Sequence, residues 1–141
     1  MVDVTVIDYG VGNLFSVQRG LEKCGANVII TSNHETILAA THVVLPGVGA
    51  FRNAMQDLNR LGLADVIRKV AANGKPLLGI CLGMQLLLDE SEEFGLTEGL
   101  GLVKGRVVPV PTRAVGGEAQ KVPHIGWSGL QRSEEQTSEL Q

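Results

Sequence analysis

Short apolar, β-branched runs alternate along the chain with stretches in which apolar residues recur every three or four positions. Val2 to Ile7 is the first run and ends in Asp8-Tyr9-Gly10, the pattern of a buried strand followed by a loop. From Asn13 the period changes: Leu14, Val17, Leu21 and Cys24 fall on one helical stripe, and Gly25 follows as a stop. Ala26 to Thr31 and His42 to Leu45 predict a second and a third strand, the latter cut off by Pro46-Gly47-Val48-Gly49. Phe51 to Leu61 and Leu63 to Ala72 predict two helices divided by Gly62, the second ending at Asn73-Gly74. Pro76 to Ile80 is a fourth strand that runs straight into Cys81, and Met84 to Asp89 reads as a helix after it. Beyond Ser91 the pattern loosens: Gly95 to Gly105 is glycine-rich, Val107 to Val110 reads as a strand, and Arg113 to Glu118 as a hairpin or loop.

Strands this apolar have no face to spare for water, and amphipathic helices alternate with them. The expected fold is therefore α/β: a doubly wound, mainly parallel sheet with helices on both faces. Such sheets carry their chemistry at the carboxyl ends of the strands. Three loops fall there: Asp8 to Asn13, Pro46 to Ala50, and Gly79 to Gly83.

Gly79-Ile80-Cys81-Leu82-Gly83 is the sharpest of them. Placed between a strand and a helix, with glycine two residues to either side, Cys81 has the setting of a nucleophile elbow. It is expected at a helix N-terminus, where the dipole and free N–H groups attract negative charge, with the Leu82 N–H as an oxyanion donor. The competing reading makes Cys81 a small buried hydrophobe at a tight turn. Cys24, on the apolar stripe of the first helix, is expected to pack. Pro46-Gly47-Val48-Gly49-Ala50-Phe51 is weak evidence alone, but beside an elbow cysteine it offers a second oxyanion donor, the Val48 N–H. On residue type alone, Gln85 reads as a polar residue on an exposed helix face and Glu93 as a solvated charge in Asp89-Glu90-Ser91-Glu92-Glu93.

Composition narrows the class. In 141 residues, 44% are hydrophobic and 19% charged, enough for a domain with a core. A net charge of −3 with scattered basic residues gives no reason to expect nucleic acid or an acidic membrane as partner. Two cysteines far apart suit a reducing compartment. No apolar run approaches the roughly 20 residues that span a bilayer, and the first residues lack a signal-peptide pattern, so the expected setting is cytoplasmic.

Four strings, in this order, carry a resemblance: Asp8-Tyr9-Gly10-Val11-Gly12-Asn13, Pro46-Gly47-Val48-Gly49-Ala50-Phe51, Gly79-Ile80-Cys81-Leu82-Gly83-Met84-Gln85 and Val122-Pro123-His124-Ile125-Gly126-Trp127. Together they resemble the glutaminase subunits of imidazole glycerol phosphate synthases, members of the class I (triad) glutamine amidotransferases with a flavodoxin-like sheet. The likeness runs from Val2 to about Gln131. It implies a partial glutamine amidotransferase domain over residues 1–131, incomplete toward its C-terminus. Residues 132–141, polar and without period, are expected to be a non-native tail.

The resemblance implies Cys81 as nucleophile, the N–H groups of Val48 and Leu82 as the oxyanion hole, and Gly47, Gly49, Gln85 and Glu93 around the glutamine. It implies a (β/α)8-barrel cyclase as partner, which receives the ammonia and faces Asn13, His124 and Trp127. Ser128 departs from the asparagine usual in that family. No cofactor and no metal are implied. The resemblance also implies a histidine base and its glutamate further along than residue 141, so the chain as given is expected not to turn over. Of its own histidines, His34 follows a strand, His42 sits at the wrong end of one, and His124 lies in the partner-facing string. Three other readings stay open: another class I amidotransferase or cysteine hydrolase, a non-catalytic docking subunit, and nucleotide binding, which the two-glycine Gly10-Val11-Gly12 turn supports poorly.

Overall fold

The structure, a computed structural model, describes residues 1–132. Its first unit runs from Met1 to Pro109. In chain order it holds β1 (Val2–Ile7), α1 (Leu14–Lys23), β2 (Ala26–Thr31), α2 (His34–Ala39), β3 (Val43–Leu45), α3 (Phe51–Arg60), α4 (Leu63–Ala72), β4 (Leu77–Gly79), α5 (Leu82–Leu86), β5 (Leu88–Ser91), β6 (Thr97–Glu98) and β7 (Val103–Val107).

The main sheet has the order β2-β1-β3-β4 with every pair parallel. Val2 to Ile7 pair in register with Ala26 to Thr31, Thr5 and Val6 with Val43 and Val44, and Leu45 with Gly79. Period-two alternation divides each strand between the two faces. Val4, Val6 and Val44 meet Leu14, Val17 and Leu21 of α1 on one face. On the other, Ile7, Val43 and Leu45 pack with Ile37 of α2, Phe51, Met55 and Leu58 of α3, and Leu63, Ile67 and Val70 of α4. The doubly wound expectation holds. Strand order reverses at β1, so the crevice between the ends of β1 and β3 is where this architecture places a ligand. β4 lies at the sheet's edge, and Leu78 on it remains half exposed.

Several elements differ from expectation. α2 has no periodic signature because only Ile37 is buried; its N-terminus is fixed by Asn33, whose side chain accepts from Thr36 N at 2.9 Å. The helix expected over Met84 to Asp89 begins earlier, at Leu82, and ends at Leu86. Leu88 to Ser91 form β5 instead, paired with the parallel β7 and the antiparallel β6. An unbroken Leu86-Leu87-Leu88 run suits helix or strand equally, and the deciding partner, Val103, lies well downstream. For the same reason the strand expected over Val107 to Val110 is displaced to Val103–Val107. Cys24 does not pack: it is exposed and forms the C-cap of α1, one residue past the helix's end at Lys23.

The second unit begins at Val110. It contains a hairpin in which Arg113 bridges Ala119, Ala114 N donates to Glu118 O at 2.7 Å, and Gln120 N donates to Thr112 O at 2.8 Å. Except for Arg132, the expected tail lies outside the described residues.

Candidate active site

The three loops at the carboxyl ends of β1, β3 and β4 are locked together at distances that leave no room for side chains. A Cβ on Gly83 would lie 1.9 Å from the Leu45 carbonyl oxygen, and one on Gly47 would lie 2.7 Å from the Tyr9 hydroxyl and 2.9 Å from Gly83 N. Tyr9, 2% exposed, donates its hydroxyl to Pro46 O at 2.6 Å and so ties the first loop to the second. Desolvation, with a smaller contribution from Asp57, pushes its phenol above the ordinary range and keeps it a neutral donor.

Cys81 stands at the centre of this arrangement with φ 56° and ψ −121°, one of two non-glycine residues with positive φ among the described residues. A side chain held there costs about 1–3 kcal/mol, and such strain persists only where surrounding structure enforces it. Here Leu45 O accepts from Ile80 N at 3.0 Å before the turn, and Cys81 O accepts from Met84 N at 3.0 Å after it. Cys81 is exposed, which removes its reading as a small buried hydrophobe.

The N–H groups around it are not free. Leu82 N donates to Gly47 O at 3.2 Å, Gly83 N to Ile80 O at 2.9 Å, and Met84 N and Gln85 N both to Cys81 O. The expectation of an open Leu82 donor is therefore corrected: Gly47 O occupies it. The N–H and C=O of a trans peptide point to opposite sides. With Gly47 O turned toward Leu82, the Val48 N–H of the same peptide faces away from that point. The two expected oxyanion donors do not converge in this conformation. Gly49, the next residue of the loop, itself adopts φ 100°, a conformation that side chains disfavour.

Gln85 and Glu93 do converge. Both are partly buried and line one cavity of about 270 Å³ with Val107, Val108 and Pro109, which rules out a fully solvated role for either. Glu93 has a second task that sequence reasoning missed. Its Oε1 accepts from Phe51 N at 3.3 Å, serving the first turn of α3, whose own N-cap Ala50 has no side-chain acceptor. Ser91 Oγ in turn accepts from Glu93 N at 3.1 Å, and Arg52 holds Phe94 O at 2.6 Å and Thr97 Oγ1 at 3.2 Å. The end of the Pro46 to Ala50 loop is thus fastened to the segment carrying Glu93.

A strained, exposed cysteine after a parallel strand, ringed by glycine contacts, is an arrangement for nucleophilic attack. The profile of the family described as glutamine amidotransferase class-I matches residues 5–141. The chain belongs to the class-I glutamine amidotransferases. Similar curated proteins are imidazole glycerol phosphate synthase subunits HisH. That of Geobacillus thermodenitrificans is 55% identical over 92% of this chain and 61% of its own length. HisH 1 of Legionella pneumophila (strain Lens) is 51% identical over 92% of the chain and 61% of its own. The chain therefore spans about three fifths of the length of these relatives. Among solved structures, a peptidase E protein of Listeria monocytogenes shares the fold, with a TM-score of 0.57 at 20% identity over 72% of this chain and 63% of that one.

In this amidotransferase neither histidine of the first unit is hydrogen-bonded to Cys81. His34 Nε2 bonds Leu61 O at 2.8 Å, where α3 meets α4, and His42 Nδ1 bonds Thr41 Oγ1 at 3.1 Å before β3. His124, in the second unit, lines a hollow of about 270 Å³ with Gln120, Lys121, Pro123 and Ile125. Trp127 is fully exposed. Asn13, also exposed, is the N-cap of α1 but makes no capping hydrogen bond with its side chain. Among the described residues no helix is long and apolar enough to cross a membrane, and no three His, Cys, Asp or Glu side chains group as a metal site.

Proposed function

We propose that this protein is the glutaminase subunit of an imidazole glycerol phosphate synthase, acting in the cytoplasm in histidine biosynthesis. The observation that carries the reading is Cys81: exposed, held at positive φ after a parallel strand, in a chain about half identical to HisH subunits. The Cys81 thiolate attacks the glutamine carboxamide carbon, forming a C–S bond and a tetrahedral oxyanion. Collapse of that intermediate breaks the C–N bond and, with a proton delivered to nitrogen, releases ammonia. Water then cleaves the γ-glutamyl thioester to glutamate and regenerates the thiol.

Gln85 and Glu93 between them hold the polar α-end of the substrate in the cavity they line, and Gly47 and Gly49 belong to the same substrate site. The oxyanion is received by the N–H groups of Val48 and Leu82. For that, the Gly47–Val48 peptide turns over, which withdraws Gly47 O from Leu82 N and swings the Val48 N–H round. The conformation described here is then a resting one. The base is a histidine in the part of the protein beyond residue 141, oriented by a glutamate. Ammonia passes to a (β/α)8-barrel cyclase partner, whose contacts the resemblance assigns to Asn13, His124 and Trp127.

The closed Leu82 donor also favours a second reading, a docking subunit that keeps the fold without turnover. Glutamate production by the full-length protein, with and without the barrel partner, separates the two. Partner-dependent glutamate that vanishes in Cys81→Ala supports the glutaminase; no glutamate with any partner supports the docking subunit.

A further inference from the structure

We propose that Tyr9 is a positioning residue for the oxyanion loop, its hydroxyl pinning the Pro46 carbonyl so that the Gly47–Val48 peptide turns about a fixed point. The proposal deepens the glutaminase reading and rests on it for its kinetic consequence alone.

The hydroxyl lies against both residues of the Pro46–Gly47 peptide. It donates to Pro46 O at 2.6 Å and fills the space in which a Cβ of Gly47 would sit, 2.7 Å away. From the other side Gly12 closes on the same peptide: a Cβ there would lie 3.4 Å from Pro46 Cβ and 3.6 Å from Gly47 N. The first loop therefore grips the plane just before the one that must rotate. Rotation of the Gly47–Val48 plane needs changes only in Gly47 ψ and Val48 φ, and Gly47 imposes no side-chain barrier. With Pro46 O held, that rotation is local, and the Val48 N–H arrives at one place.

Without the hydroxyl, the Pro46 carbonyl is a buried acceptor left unpaired, and the loop shifts to reach another donor. The ring is not what matters here. Phenylalanine preserves the ring and its packing while removing only the grip.

Tyr9→Phe separates the two roles. In the full-length protein with its barrel partner, kcat for glutamine hydrolysis falls about five- to tenfold, the factor that one net hydrogen bond supplies. KM for glutamine and the rate of Cys81 alkylation by iodoacetamide, which needs no oxyanion donor, stay unchanged. Unchanged kcat in a protein whose wild type is active overturns the proposal. So does a loss shared equally by kcat and alkylation.

Amide exchange gives a reading independent of turnover. The Leu82 N–H, held by Gly47 O, exchanges about fivefold faster in Tyr9→Phe, while the Ile67 amide in α4 keeps its protection. Equal exchange at Leu82, or acceleration at Leu82 and Ile67 alike, overturns the proposal. If the wild type shows no glutaminase, the functional reading falls and the exchange experiment still decides whether Tyr9 holds the loop.

Discussion

Replacing Cys81 by glycine is expected to stabilise the protein relative to alanine, the reverse of the usual order of these two residues. At φ 56° and ψ −121° any residue with a Cβ meets its own backbone, at a cost of about 1–3 kcal/mol. Cys81→Ala keeps the Cβ and therefore the strain; Cys81→Gly removes both. Glycine loses more chain entropy on folding than alanine, roughly 0.5–1 kcal/mol. Cys81 is exposed, so neither change forfeits much buried surface. The net expectation is that Cys81→Gly is more stable than Cys81→Ala by up to about 2.5 kcal/mol, the difference of those two effects. Cys24 is the control, since its φ of −83° suits any residue. There glycine is expected to be the less stable by up to about 1 kcal/mol. Urea unfolding of the four variants, read as midpoints at equal slope, gives both differences. Glycine below alanine at position 81, or the same sign at both positions, would refute the claim that the elbow is strained.

Gly83→Ala places a methyl group 1.9 Å from a backbone carbonyl that cannot swing aside, and is expected to cost 3 kcal/mol or more, on the order of severe overpacking, in the same unfolding assay. Glu93→Ala removes the acceptor at the α3 N-terminus and is expected to cost about 1 kcal/mol, with Glu93→Gln costing less; in the full-length enzyme both raise KM for glutamine. Tyr9 is the only tyrosine, so alkaline titration of phenolate absorbance reports it alone. Its folded pKa is raised, so its neutral form is favoured by folding: the stability it confers is complete below pH about 10 and falls as the unfolded chain ionises above that. Wild type therefore loses stability above pH 10 more steeply than Tyr9→Phe, and equal slopes would contradict the burial of a neutral phenol.

The parallel sheet and its order of helices were legible because each element carries its own period. Val2 to Ile7, Leu14 to Leu21 and Leu63 to Ala72 needed no distant partner to declare themselves. The elements that sequence reading misplaced, β5 and β7, are joined by a pairing distant in sequence, Leu88 with Val103 and Ser91 with Val107, and no local pattern encodes it. α2 was hidden because one buried side chain, Ile37, is too little to make a period.

In the site, the strand–Cys–helix string with its flanking glycines announced the elbow, since backbone approach this close admits only glycine. The orientation of a peptide plane is not written in residue types, so the occupied Leu82 N–H came only from the structure. Tyr9 and the capping role of Glu93 were likewise invisible. Each depends on a contact between loops that the sheet brings together, Tyr9 with Pro46 and Glu93 with Phe51. The one sequence signal for Tyr9 was a sole tyrosine placed at the end of the first strand.

The central claim is that Cys81 forms a γ-glutamyl thioester, and trapping that bond tests it most directly. The full-length protein with the proposed barrel partner is mixed with isotope-labelled glutamine, quenched in acid during turnover, and digested for mass spectrometry. The account predicts label on the peptide bearing Cys81 and none on the peptide bearing Cys24, with the adduct absent from Cys81→Ala. Glutamate formed at the wild-type rate by Cys81→Ala, or label on a residue other than Cys81, would contradict it.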